Sequence, residues 1–281
     1  MTDTTPFDSP DVRGLRLVQA ALRVSVSLAC FGAVAAVLHQ KVYPLTPMLV
    51  NIHGVSVAAA HTIEQVSAYV LIVCGLATLS RPMWPALLFT GVWFATASSV
   101  SLFEEGAAAA EMVPLEHAVR FLTPWALLLV DFFPPRLKFG LARFLASMIM
   151  LRVGIVATLA TGGLRAIFDS RTGQGVTLIV ATAGEKLLRH PLETETAAVA
   201  TAIVGGISIG LALAISSGRP RGVGAAAIAW GVFTAFGWTI AHGSRGYHET
   251  LLRSCEWGAP LALLTFWLRG IEDGPGRMLA D

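Results

Sequence analysis

The sequence predicts an all-α integral membrane protein with about eight transmembrane helices, arranged as two parallel four-helix repeats, plus short interfacial helices. Its composition, the length of its apolar runs and an ordered set of internal matches predict this class. Of the 281 residues, 54% are hydrophobic and only 14% are charged, whereas soluble domains carry about 25% charged residues. A chain with so little charge cannot cover a water-facing surface, so we expect a lipid bilayer to surround it.

The charge balance argues against a nucleic-acid partner. The formal net charge is +2, and the basic residues form no cluster of the kind that phosphate backbones require. We therefore expect no binding of nucleic acid, and we expect the lipid bilayer to be the main partner.

The apolar runs define the elements in order, because a helix needs about 20 apolar residues to cross the hydrocarbon core. Eight runs predict the spans 15–38, 63–79, 84–103, 115–130, 141–164, 194–215, 223–241 and 257–268. Segments 48–62 and 172–189 are too short or too charged to cross, and they predict interfacial or re-entrant helices. The chain divides into an N-terminal tail (1–14), a first four-span repeat (15–135), a second four-span repeat (136–270) and a C-terminal tail (271–281).

The basic residues predict the orientation, because short loops rich in Lys and Arg stay in the cytoplasm. With the N-terminus inside, the inner side holds Arg13, Arg16, Arg81, Arg136, Lys138, Arg143, Arg219, Arg221, Arg269 and Arg277. The outer side holds Glu104, Glu105, Glu111 and Glu116, together with Arg165, Arg171, Lys186, Arg189, Arg245 and Arg253. We expect a multi-pass protein of the inner (plasma) membrane with both termini inside. We also expect the first span to be retained, because Arg23 interrupts its apolar region.

Four local matches recur in the same order in the two halves. They are Leu22-Arg23-Val24 with Leu151-Arg152-Val153, Arg81-Pro82 with Arg219-Pro220, Gly91-Val92-Trp93 with Gly231-Val232-Phe233, and Pro124-Trp125-Ala126-Leu127-Leu128 with Pro260-Leu261-Ala262-Leu263-Leu264. Four spans are an even number, so both halves enter the membrane in the same direction. Arg120 and Glu256 each precede the matched proline by four residues, and they are a candidate ion pair at equal depth. The alternative is that both face the outer headgroups.

Several short motifs carry a family resemblance. In the first half they are Leu22-Arg23, the connector ending at His61, Glu64 at the opening of the second span, Cys74-Gly75-Leu76 and Arg81. In the second half they are Gly205-Gly206 and Arg219, and Ala202 stands at the position that corresponds to Glu64. With these residues the first half resembles the DoxX-like family of four-span bacterial membrane proteins, and the whole chain resembles a tandem pair. The resemblance implies a respiratory or quinone-linked setting, with other membrane or respiratory subunits as partners.

The densest group of ionisable residues lies where the first connector enters the second span. On a continuous helix His53 and Glu64 lie within about 20° of each other, and His61 and Glu64 are i, i+3 neighbours. A histidine beside a carboxylate suits a proton relay to a quinol, so His53, His61 and Glu64 are the candidate catalytic residues. The alternative is that they cap and anchor a re-entrant helix.

Charged residues within apolar spans are costly, by roughly 2.5 to 3.5 kcal/mol at the bilayer centre, so each is a candidate for function. Arg23 and Arg152 hold equivalent places in the first helix of each half. Arg23 can extend its side chain to the inner interface, whereas Arg152 is predicted either to face a quinone carbonyl, a lipid phosphate or a carboxylate, or to bond the backbone carbonyls of a neighbouring helix. His242 ends a span and is a candidate haem ligand after His53 and His61. We assign Arg23, Arg152 and His242 as candidate cofactor-binding residues, and we expect quinone ahead of haem b.

The outer loops supply a further polar group, made of Glu104, Glu105, Glu116, His117, His242, Arg245, His248 and Glu249. No HxxxH or ExxH spacing within one helix marks a metal site, so we expect a solvated rim and no metal. The three cysteines, Cys30, Cys74 and Cys255, form no CxxC pair, which excludes a dithiol mechanism of that type.

The His/Glu group, together with what the resemblance implies, predicts a DoxX-like inner-membrane protein that interacts with a quinone or forms the membrane subunit of a quinone-linked oxidoreductase. They leave open whether the protein is itself an enzyme. The alternative is a non-catalytic scaffold or assembly subunit, or a small-solute transporter built on the parallel repeat. Such transporters carry Gly- or Pro-interrupted spans at corresponding positions of both halves, whereas Gly162-Gly163 and Gly205-Gly206 have no clear first-half counterparts.

Overall fold

The computed structural model describes residues 10–103, 113–131, 141–218 and 221–269. Within these ranges the regular structure is helical and contains no strand, which confirms the predicted all-α class. The helices are α1 (Pro10–Val34), α2 (Thr46–Asn51), α3 (Val57–Ser80), α4 (Trp84–Ser99), α5 (Val113–Glu116), α6 (Ala118–Val130), α7 (Leu141–Thr172), α8 (Val176–Leu188), α9 (Thr194–Ser217), α10 (Arg221–His242), α11 (Tyr247–Leu252) and α12 (Ser254–Arg269). A π-helical turn (Ala35–His39) extends α1, and 3₁₀ turns follow α4 (Val100–Phe103) and α10 (Gly243–Gly246).

Six segments of the described chain are long and apolar enough to cross a membrane. They are Gly14–His39, Val57–Ser80, Trp84–Leu102, Ala142–Thr172, Thr194–Ser217 and Arg221–Leu252. Helix α6 is apolar but has 13 residues, and α12 has 16 residues. At 1.5 Å per residue these two helices measure about 20 and 24 Å, which is less than the hydrocarbon core of about 30 Å.

The first connector differs from its prediction as a single interfacial helix over 48–62. Helix α2 ends at Asn51, and Gly54 then has a φ of +64°, a left-handed conformation that favours glycine. Ser56 caps the next helix, because its side chain accepts a hydrogen bond from the Ala59 amide at 3.3 Å. Helix α3 therefore begins at Val57, six residues before the predicted span.

Helix α7 is also longer than predicted, because it continues to Thr172 instead of ending at residue 164. The extra turns carry Arg165 and Asp169, whose side chains lie 3.9 Å apart in an i, i+4 pair. Arg165 also forms an ion pair with Glu116 of α5 at 3.0 Å. Charges that are paired in this way do not end a helix, so the helix passes beyond the apolar run.

Four helices form the centre of the molecule. Helices α1 and α7 each pack against both α6 and α12. On one side α3 contacts α1 and α4 contacts α6; on the other side α9 contacts α7 and α10 contacts α12. The buried core cluster runs through the four central helices and includes Leu22, Leu127, Leu151 and an edge-to-face pair of Phe144 and Phe266 at 5.3 Å.

Helix α8 corresponds to the predicted interfacial helix at 172–189. It contacts α7, α9 and α10, and Thr177 is its one buried residue. Left-handed residues flank it, with a φ of +52° at Gly175 and +55° at Arg189. Its first amide, at Val176, donates to the Asp169 carboxylate at 2.8 Å, and the Lys186 ammonium near its other end donates to the Ala241 carbonyl at 2.7 Å.

Candidate functional site

A cavity of about 790 Å³ lies between α7, α8, α9 and α10, and reaches α5, α6, α11 and α12 at one end. This volume is within the range of about 300 to 1,000 Å³ that small-molecule sites occupy. The walls are mostly apolar and aromatic, and they include Ile155, Leu159, Ile179, Val204, Trp230, Phe233 and Trp238.

One end of the cavity is polar, and we call it the polar floor. It consists of Arg120, Arg165, Arg253, Glu116, Glu249, Glu256 and His117. Among these lining residues three arginines face three glutamates, so their formal net charge is zero when the histidine is neutral. An apolar chamber with a small set of polar groups at one end is typical of sites for amphipathic molecules.

Glu256 links two arginines of the polar floor. The carboxylate accepts from Arg120 Nη2 at 3.3 Å and from Arg253 Nη1 at 3.2 Å. The Arg120 and Glu256 side chains are 9% and 10% exposed. The structure therefore brings together the two charges that the sequence analysis paired, and it buries them between α6 and α12 instead of exposing them to the headgroups.

Three buried nitrogen atoms of the polar floor have no hydrogen-bond partner among the described residues. They are Nε of Arg120, Nε of Arg253 and Nδ1 of His117. A buried polar group without a partner costs about 1 to 3 kcal/mol. The two arginine nitrogens are always donors, but they are fully buried and therefore lie beneath the surface of the cavity.

Aromatic side chains connect the polar floor to the walls. The Arg253 guanidinium lies 5.2 Å from the centre of the Trp238 ring, within the range of a cation–π contact. Trp238 stacks on the His242 ring at 5.6 Å, and His242 Nδ1 lies 3.2 Å from the Trp238 carbonyl oxygen. Trp230 donates its indole N–H to Ser208 of α9 at 2.9 Å. The predicted cofactor-binding residue His242 therefore lines the cavity at its exposed edge.

The candidate catalytic residues do not all come together: His61 and Glu64 lie in α3 as the predicted i, i+3 neighbours, whereas His53 lies outside that helix. His53 is exposed in the turn between α2 and α3, so the continuous helix that aligned it with Glu64 is absent and that interpretation is wrong. His61 stacks on Tyr43 at 4.0 Å. Neither histidine nor Glu64 lines the cavity.

Glu64 instead anchors the segment that precedes α2. Its side chain is fully buried, and Oε1 accepts from the Leu45 amide at 3.0 Å and from the Thr46 hydroxyl at 2.7 Å. Its Oε2 atom has no partner among the described residues. These contacts agree with the anchoring alternative of the sequence analysis.

Arg23 and Arg152 each contact the end of a neighbouring helix. Arg23 Nε pairs with Asp131 at the end of α6, at 2.6 Å. Arg152 donates to the carbonyl oxygens of Ile215 at 2.6 Å and of Gly218 at 2.9 Å, at the end of α9. The Arg152 contacts correspond to its backbone-carbonyl alternative, and neither arginine lines the cavity.

The outer-loop group converges only in part. Glu116, His117, His242 and Glu249 line the cavity, whereas Arg245 is exposed and His248 lies 3.7 Å from Glu249. Glu104 and Glu105 lie outside the described residues. Within the described ranges no group of three or more His, Cys, Asp and Glu residues is arranged to hold a metal ion.

The sequence analysis did not assign Arg165 and Arg253 to the site. A usable signal was present, because each lies one helical turn from a carboxylate, Arg165 at i, i+4 from Asp169 and Arg253 at i, i+3 from Glu256. Paired charges near the ends of apolar helices mark a place where charge is sheltered from lipid.

Comparison with known proteins identifies no relative: no family model, no curated protein and no solved structure matches the chain. The resemblance to the DoxX-like family therefore stays a prediction, and the geometry of the cavity carries the functional interpretation.

Proposed function

We propose that the chain is an inner-membrane protein with eight membrane crossings, in which α6 and α12 complete the set, and with both termini in the cytoplasm. The position of α6 supports this. Its last residue, Val130, accepts a hydrogen bond from Gln19 in the first half of α1, at 3.0 Å. Arg120, near its start, pairs with Glu256 in the first turn of α12, and the preceding helix α11 packs against the far end of α1 at Gly32. Helix α6 thus runs antiparallel to α1 over about the same depth.

The two halves are proposed to be parallel four-helix repeats, with α1, α3, α4 and α6 equivalent to α7, α9, α10 and α12. The contacts between helices agree with this pairing. Helix α1 contacts α3 as α7 contacts α9, α4 contacts α6 as α10 contacts α12, and α6 contacts α7 as α12 contacts α1. A similar hydrogen bond occurs in each half, although not at matched positions: Trp93 donates to Ser67 at 3.2 Å, and Trp230, three residues before the Phe233 matched to Trp93, donates to Ser208 at 2.9 Å. Of the matched motifs, Arg219-Pro220 lies outside the described residues.

We propose that the protein binds a quinone in the cavity. The observation that carries the proposal is the junction of aromatic walls with a polar floor of arginines and glutamates that has no net formal charge. A quinone has a flat, uncharged ring with two carbonyl acceptors and an apolar tail. The guanidinium groups of Arg120 and Arg253, which line the cavity, suit a carbonyl oxygen, and Trp230, Phe233 and Trp238 suit the ring and tail.

The zero net charge favours this ligand over an anionic amphiphile. Glu256 already neutralises part of the charge on Arg120 and Arg253, and Glu116 pairs with Arg165. An added carboxylate or phosphate would leave a net negative charge in a medium of low dielectric constant, which is unfavourable.

Because oxidation or reduction of a quinone needs an electron partner, the proposal includes a role as the membrane subunit of a quinone-linked oxidoreductase.

The test is to purify the chain in mild detergent, extract the sample with organic solvent and identify bound quinone by chromatography. A short-chain quinone is then titrated while tryptophan fluorescence is recorded, because Trp230 and Trp238 line the cavity. We expect co-purified quinone and saturable quenching. A reduced-minus-oxidised absorbance spectrum of the same sample measures haem b directly.

Two glycine variants give a matched comparison. A Cβ added at Gly237, which lines the cavity, or at Gly206, which does not, meets no atom within 4 Å. We expect Gly237→Phe to weaken quinone binding at least about tenfold by filling the site, and Gly206→Phe to leave it unchanged. Absence of both co-purified quinone and saturable quenching would refute the proposal and favour the scaffold or transporter alternative. Equal effects of the two variants would place binding outside the cavity.

A further inference from the structure

A second, separate recess lies at the opposite end of the molecule from the polar floor. It has a volume of about 460 Å³ and is lined by Arg16, Gln19, Ala20, Arg23, Val24 and Leu79. These residues belong to the stretch of α1 between Arg16 and Val24 and to the last turn of α3. In the proposed orientation this end faces the inner leaflet.

Two guanidinium groups face the recess with spare hydrogen-bonding capacity. Arg16 and Arg23 are seven residues apart, so they lie on one face of α1, two turns and about 10 Å apart along the axis. Arg16 is exposed and forms no hydrogen bond or ion pair within the described ranges. Arg23 uses Nε for Asp131 and leaves its terminal nitrogens without a described partner.

The charge and polarity of the recess define its ligand. Two arginines and Asp131 give a formal charge of +1, which complements the single negative charge of a phosphodiester. The apolar side chains Val24 and Leu79 are 42% and 44% exposed and continue from the recess onto the outer surface of the helices. A ligand with an anionic head and adjoining apolar chains satisfies both features, whereas a free anion satisfies only the first.

We propose that this recess is a binding site for an anionic phospholipid, with the phosphate between Arg16 and Arg23 and an acyl chain along Val24 and Leu79. Arginine side chains reach toward the membrane interface from within a helix. Each basic residue near the surface contributes about 1 kcal/mol to the free energy of binding an anionic headgroup. The site is independent of the quinone proposal, because the two cavities share no lining residue.

The experiment titrates the full chain, delipidated in mild detergent, with dioleoyl phosphatidylglycerol or dioleoyl phosphatidylcholine, and native mass spectrometry counts the bound lipid. We expect phosphatidylglycerol to bind more tightly than phosphatidylcholine. Arg16→Gln should weaken phosphatidylglycerol binding about fivefold, the equivalent of one basic contact. Asp131→Asn should strengthen it, because the recess gains positive charge while both arginines stay.

Arg143→Gln is the matched control, since Arg143 is an exposed arginine near the start of α7 and does not line the recess. Its phosphatidylglycerol affinity should equal that of the unmodified chain. The proposal is overturned if Arg143→Gln weakens binding as much as Arg16→Gln, if the two lipids bind equally, or if millimolar inorganic phosphate displaces phosphatidylglycerol. The opposite shifts expected for Arg16→Gln and Asp131→Asn keep the test decisive even when one variant folds poorly.

Discussion

Single residues show how this chain accommodates guanidinium groups inside apolar helices. The last four carbonyl groups of a helix have no partner within that helix. Arg152 supplies donors to such carbonyls at the end of α9, and Gln19 and Arg23 contact the last residues of α6. A charge that looks costly in the sequence thus closes the end of a neighbouring helix.

Replacement of Arg152 should therefore destabilise the fold. We expect Arg152→Met to lower the free energy of unfolding by about 2 to 3 kcal/mol, because it removes charged hydrogen bonds and leaves carbonyl groups at the end of α9 unpaired. Arg143→Met, on the exposed face of the same helix, should change it by less than about 0.5 kcal/mol. Unfolding titrations in sodium dodecyl sulfate measure both, and a similar loss in the two variants would contradict the capping role.

The network of Arg120, Glu256 and Arg253 predicts an asymmetry. Glu256→Gln leaves the buried Arg120 and the half-buried Arg253 without their carboxylate and should cost about 3 kcal/mol of stability or more. Arg120→Met leaves Glu256 paired with Arg253 and should cost about half as much. The double variant should lose less than the sum of the single variants, because the sites share one interaction. Strict additivity in the same unfolding titrations would show that the two residues are not coupled.

At the scale of elements, helix α8 is the least anchored wall of the cavity. Thr177 is its one buried residue, left-handed residues flank it, and Lys186 holds its second half to the Ala241 carbonyl. Elements with few buried contacts open most easily. We therefore expect α8 to be the wall of the cavity that opens most readily.

Removal of the Lys186 contact should loosen this wall. In Lys186→Met we expect the amide hydrogens of α8 to exchange about tenfold faster, which corresponds to the loss of one charged hydrogen bond. Glu185→Gln changes the neighbouring exposed residue and should leave the rates unchanged. Hydrogen–deuterium exchange with mass spectrometry measures both, and unchanged exchange in Lys186→Met would mean that other contacts hold α8.

The elements also show what the sequence can and cannot predict. Apolar runs predict the long helices well, because burial in lipid depends on composition alone. The break at Gly54 was not predicted, since a single glycine is also tolerated within a helix, and the proposed alignment of His53 with Glu64 failed with it. The cavity was not predicted either, because it depends on how far α9 and α10 separate around α8, which no local pattern specifies.

At the scale of the whole molecule, the number of crossings fixes which side of the membrane each loop occupies. If α6 and α12 cross, Gln174 lies outside the cell and Ser217 lies inside. If only the six long helices cross and the N-terminus is inside, α7 and α9 cross the membrane in the opposite directions. Gln174 then lies inside the cell and Ser217 lies outside. The topology therefore distinguishes the eight-helix arrangement from the six-helix one.

Cysteine labelling can measure this difference in intact cells. The natural cysteines Cys30, Cys74 and Cys255 are buried, so they give a low background. We expect a membrane-impermeant maleimide to label Gln174→Cys from outside and to label Ser217→Cys only after the membrane is opened; both positions are exposed. The reverse pattern would refute eight crossings with the N-terminus inside.

The balance of three arginines and three glutamates on the polar floor has a consequence for the energised membrane. A single charge that moves through a potential of 100 mV gains or loses about 2.3 kcal/mol. An uncharged ligand such as the proposed quinone carries no charge through the field, and the balanced floor needs no counter-ion to enter with it, so the field does no net work when the ligand enters or leaves. Occupancy of the cavity should then follow the concentration of the ligand in the bilayer and not the voltage across it.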